Sequence, residues 1–163
     1  MTTDSSLSLA IVELAEILTA EIQVLRCYPY PRRAEEYRHG EVVCGLMYTG
    51  TGDMYTSGSS SHTLRLEIAA THKGGNENQR KGQRILSALG SWDHEWSLYR
   101  VLMDAERVKG THLAGVIEAG DISSGAGIAD GDVEGVDFWG MGMDIRIAVM
   151  VDPDVVIPGG NTE

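Results

Sequence analysis

The chain has little of what a reactive, secreted or membrane-bound protein would need. It contains two cysteines, Cys27 and Cys44, without the CxxC spacing of a redox or zinc site. They read as two reduced thiols in a cytosolic protein. Aromatics are scarce, at 6% with a single Phe. Bases are outnumbered: 13 Lys and Arg stand against 24 Asp and Glu, a formal charge of −11. Such a surface repels phosphate, which argues against a dedicated DNA or RNA binder. It still allows a protein that DNA passes without adhering. The most apolar N-terminal segment is interrupted by Glu13, Glu16, Glu21 and Gln23, so it does not read as a membrane span. MTTDSSLSLA places an acid and no base before its apolar run, unlike a secretory signal.

Motifs that carry chemistry are also missing. The histidines at 39, 62, 72, 94 and 112 form no HExxH and no ligand pair at i, i+4. Asp93-His94-Glu95 is contiguous, and neighbours in sequence diverge around a helix instead of converging. Gly58-Ser59-Ser60-Ser61-His62 lacks the closing glycine of a nucleophile elbow. Gly50-Thr51-Gly52 lacks the third glycine of a dinucleotide loop, and no phosphate-binding P-loop pattern occurs. Asp130, Asp132, Glu134 and Gly135 fit the first half of a calcium loop. The twelfth position, which should be a bidentate Glu, is Met141, and the flanks read as loop and strand instead of two helices. No catalytic residue, metal or cofactor is therefore expected.

What the chain does have is patterned segments. Leu7, Ile11, Leu14, Leu18, Ile22 and Leu25 recur at spacings of three and four, which predicts one amphipathic helix over 7–25. Ser5 or Ser6 can cap it, and the prolines of Tyr28-Pro29-Tyr30-Pro31 should end it. VVCGLMY (42–48) reads as a strand and 49–61 as a turn-rich loop with a possible short strand at 54–56. In HTLRLEIAAT (62–71), Leu64, Leu66, Ile68 and Ala70 alternate with Thr63, Arg65, Glu67 and Ala69, as in a half-buried strand. A helix is expected over 77–89 and a second, shorter one over 94–105. Trp92, Trp96, Tyr99 and Met103 should then share one side of the second, facing the core or a subunit contact. Strands are expected at 112–119 and at 143–151, the latter stopped by Asp152-Pro153. The order predicts an α+β fold: a mostly antiparallel sheet flanked by a long N-terminal helix and two shorter central helices. Residues 1–152 form a single domain in this reading, and 153–163 a loose tail.

Charge is the remaining signal. From Gly110 to Ile145 there is no Lys or Arg, while Glu118, Asp121, Asp130, Asp132, Glu134, Asp137 and Asp144 all fall in that stretch. Asp121, Asp130, Asp132, Glu134 and Asp137 sit in or beside the glycine-rich run ISSGAGIADGDVEGVDFWGMG, an acidic surface suited to a lumen or a neighbouring subunit. The opposing cluster is Lys73, Arg80, Lys81 and Arg84. Arg80, Lys81 and Arg84, with Trp139, are the candidate subunit contacts.

The layout over about residues 7–151 resembles that of tail terminator (tail completion) proteins of long-tailed bacteriophages. The shared features are the long first helix before a YPYP-type turn, the strand HTLRLEIAAT and the helix after a polar break. A short helix like SLYRVLMDA and a closing hairpin entered through FWGMGMDIRIAVMV complete them. The acidic loop and the serines at 57–61 depart from that layout. The resemblance implies a non-enzymatic virion protein, assembled in the host cytoplasm, whose six copies form a ring on the head-proximal end of the tail. Its implied partners are the tail tube protein and the head–tail connector protein, with DNA passing through unbound and no membrane involved. A head-closure, neck or minor tail component is the alternative within the virion, and a small cytosolic enzyme the alternative outside it.

Overall fold

The structure is a computed structural model that describes residues 5–31, 41–55, 58–72, 76–123, 131–133 and 136–151. The connector at 32–40 and the tail at 153–163 lie outside the described residues. The described elements are α1 (Ser6–Glu21), β1 (Arg26–Tyr28), β2 (Val42–Tyr55), β3 (Ser59–His72), α2 (Asn76–Gly90), α3 (Leu98–Leu102), β4 (Leu113–Ala119), β5 (Gly131–Val133) and β6 (Val136–Met150). The protein is α+β. Its sheet runs β1-β2-β3-β6-β4, with β5 pairing β6 beyond the end of β4. Every pairing is antiparallel except β1 with β2.

The alternation in β3 and β6 decides which sheet face is dry. Leu64, Leu66 and Ile68 register against Ile145, Met143 and Met141, and all six are buried. Ala10, Leu14 and Leu18 of α1, Leu89 of α2, and Leu98, Val101 and Leu102 of α3 close over them in one continuous core. Each fully buried Leu or Ile contributes about 1.5–3 kcal/mol through removal from water. The opposite face carries charge. Arg65 Nη1 lies 3.2 Å from Asp144 Oδ1 and its Nε 3.7 Å from Glu67 Oε1. Gly142 leaves room for that guanidinium, because a Cβ there would collide with it. Asp144 is therefore compensated by a base from another strand, although its own stretch, 110–145, contains none. Glu118 also has Arg146 as its cross-strand neighbour.

Several boundaries differ from expectation. Helix α1 starts at its Ser5 cap, whose hydroxyl accepts from Ser8 N at 3.0 Å, but ends at Glu21 instead of at the prolines. Ile22 is already extended. Thr19 Oγ1 accepts from Cys27 N at 3.0 Å and donates to Ala15 O at 2.9 Å, which ties the returning chain to the helix as β1. Ile22 and Leu25 are still buried, so the spacing of three and four outlasts the helix. The stretch 49–61 is the distal part of a long hairpin. Register shifts at Tyr48/Gly50 and Thr51/Met54 absorb its irregular pairing, Ser61 Oγ accepts from Asp53 N at 3.0 Å, and Gly58 turns at φ +80°. The final strand starts at Val136, well before Met143.

The second central helix shrinks to the five residues of α3, capped by Ser97, whose Oγ accepts from Arg100 N. Trp92, Trp96, Tyr99 and Met103 therefore do not share a helix side. Trp92 is 62% exposed and Met103 49%, so neither joins the core. Among the described residues no helix is long and apolar enough to cross a membrane.

Candidate interaction surface

Helix α2 is sharply two-sided. Leu89 is buried, Ile85 and Leu86 are half-buried, and Arg80, Lys81 and Arg84 are exposed. Positions 80, 81 and 84 lie within one turn, so the three cations form a single patch. Beside the patch a groove of about 680 Å³ opens between α2, the segment after α1 and the α2–α3 connector. Val24, Ile85, Ala88 and Trp96 supply its apolar wall, and Lys81 and Arg84 its charged rim.

The α2–α3 connector owes its shape to a few polar contacts. Trp96 N donates to His94 Nδ1 at 3.0 Å, and the two rings lie 5.1 Å apart. Trp92 stacks on Tyr99 at 4.5 Å and 9°. The Tyr99 hydroxyl donates to Gly120 O at 3.0 Å and accepts from Ile122 N at 3.1 Å. This clamp straddles Asp121, which is exposed. It therefore holds the first residue of the acidic run beside the connector that shapes the groove.

Of the other expected acids, Asp132 and Asp137 fall among the described residues. Asp132 and Asp137 occupy directly opposed positions in the β5–β6 hairpin, and Asp137 also registers with His72 of β3. Asp130 and Glu134 lie outside the described residues, as does Gly135, so the partial calcium pattern has no described geometry. Among the described residues, no three His, Cys, Asp or Glu side chains converge on a common point. Trp139 pairs through its backbone with Ala70 of β3.

Sequence reasoning missed three polar arrangements. Glu13 of α1 reaches the start of β4, where Oε1 accepts from His112 N at 2.9 Å and Leu113 N at 2.8 Å. Its Oε2 lies 3.2 Å from His112 Nδ1. Burial alone would raise this carboxyl, but the hydrogen bonds outweigh it and hold its pKa below the ordinary value. Ser60 Oγ sits 2.8 Å from His62 Nε2, while the buried His62 Nδ1 has no partner. Burial pushes the His62 pKa down. With no carboxylate to orient the imidazole, the pair lacks the third member of a nucleophilic triad. Cys27 and Cys44 face each other across β1 and β2 as buried free thiols. Their mutual hydrogen bond, and then burial, push the Cys44 thiol well above its usual pKa. A carboxylate ninety-nine residues from its histidine partner leaves no local pattern in sequence.

In comparison with known proteins, no family model matches the chain and no curated protein matches it.

Proposed function

We propose that the protein is a structural virion component, a self-associating subunit whose ring caps the head-proximal end of a phage tail tube. The observation that carries this reading is the basic patch of Arg80, Lys81 and Arg84. It is exposed beside an open groove in a chain with net charge −11. Exposed cations on so acidic a protein are suited to a contact with another copy. Glu118 and Asp121, both exposed, and the acids that follow them in sequence to Asp137 offer the opposite sign. A patch that meets a different patch on its neighbour gives a heterologous contact, and such contacts close into rings when the rotation allows.

In this reading six copies surround the DNA path, with the tail tube protein on one side and the head–tail connector on the other. Carboxylates turned toward the lumen keep phosphate from adhering, because neutralisation of phosphate is what makes DNA bind. Reversal of Arg80, Lys81 and Arg84 to Glu should abolish the assembly in multi-angle light scattering while leaving the circular dichroism spectrum of the subunit intact. An assembly of unchanged mass in that variant would refute the contact.

A further inference from the structure

We infer that the groove beside α2 receives residues 152–157 of a second copy of the chain. The segment is Asp152-Pro153-Asp154-Val155-Val156-Ile157: two acids followed by three β-branched apolar residues. The groove has the complementary order of chemistry, with Lys81 and Arg84 on its rim and Val24, Ile85, Ala88 and Trp96 within. Its 680 Å³ is in the range that accommodates a short peptide's side chains. Pro153 keeps the residue before it extended, and β-branched residues favour the same geometry, so little backbone freedom is lost when the segment docks.

The last described residue of the chain lies at the other end of β6 from the groove. Gly90, at the groove end of α2, packs against Met141, since a Cβ there would lie 3.6 Å from Met141 Cε. The chain leaves the sheet at Val151, whose N–H donates to Gly58 O at 2.8 Å at the far end of the hairpin. Met141 and Val151 are separated by ten strand residues, about 33 Å. Val155 to Ile157 follow Val151 by only four to six residues, at most about 20 Å. A neighbour's segment is therefore the proposed occupant. Each subunit then has one donor segment and one acceptor groove, and the contact propagates in one direction until it closes. This rests on the ring reading only in requiring that copies associate. It assigns Asp152 and Asp154 to Lys81 and Arg84, leaving Arg80 to the acids at 118–137.

The test is a charge swap on the full chain, read by sedimentation velocity. Lys81→Glu with Arg84→Glu should weaken self-association about tenfold or more, as should Asp152→Lys with Asp154→Lys. The four substitutions together should bring affinity back to within about threefold of the original. Val155→Asp with Ile157→Asp should also lose association. Wild-type association of the Val155/Ile157 variant, or failure of the fourfold swap to recover, would overturn the inference. If the chain stays monomeric at all concentrations, the ring reading falls, and a synthetic peptide of residues 152–158 decides the groove separately. Saturable quenching of Trp96 fluorescence, absent in the Lys81/Arg84 variant and in Trp96→Phe, supports the docking; no quenching contradicts it.

Discussion

Glu13 does at the scale of one residue what the first helix cannot do through packing alone. It is the acceptor for two backbone N–H groups at the start of β4, and so fixes the helix to a strand nearly one hundred residues away. Replacement by Ala leaves both donors unpaired in a half-buried place. The expected cost is about 1–3 kcal/mol in urea unfolding. Because the folded pKa is depressed, the carboxylate's contribution is complete above the unfolded value near 4.5 and disappears as pH falls through the folded value. Glu13→Ala should therefore be less sensitive than the parent to acid below about pH 4.5. His62 acts in a different window. It is 8% exposed and neutral when folded, with a pKa below 6.5, so the unfolded chain takes up the proton first. Stability should be full above about pH 6.5 and fall as pH drops through that value toward the folded pKa. His62→Phe should flatten the melting temperature between pH 7.5 and 5.5; an unchanged slope would show that His62 is not the group responsible.

The elements divide by how much of their signal is local. Helix α1 and strands β3 and β6 were legible because each buries one stripe, and burial writes its period into the residues. Leu64-Leu66-Ile68 and Met143-Ile145-Ile147 alternate since one face meets the core and the other meets water. The distal hairpin and β1 were not legible. Thr49 to Tyr55 are glycine-rich and polar because that part of β2 has little core to face, and a strand without a buried face shows no alternation. Three-residue β1 exists through its pairing with β2 and through the Thr19 hydroxyl, neither of which is a local preference. The α2 cations were readable as a patch, but the groove beside them was not. It depends on Val24 and Trp96, brought to α2 by tertiary contacts. The same holds for Cys27 and Cys44, seventeen positions apart in sequence and opposite each other in the sheet. Their burial and the raised Cys44 pKa predict slow reaction with an aromatic disulfide reagent, at least about tenfold slower in native protein than after unfolding. Rapid native labelling of both thiols would mean that β1 is not held against β2.

At the scale of the whole molecule, the proposed function rests on how charge is distributed. Its charges are sorted: cations on one helix face, a paired stripe of Arg65, Glu67 and Asp144 on the open sheet face, and acids through the segment that follows β4. The polar groups that do come together, Glu13 with His112 and Tyr99 with the β4 exit, hold elements in place. In the proposed reading a subunit built this way acts through its surfaces, which join copies head to tail. The most direct measurement is negative-stain electron microscopy of the purified full-length chain across a concentration series. The account predicts closed rings of six-fold symmetry with an open centre, whereas compact monomers at every concentration would contradict it.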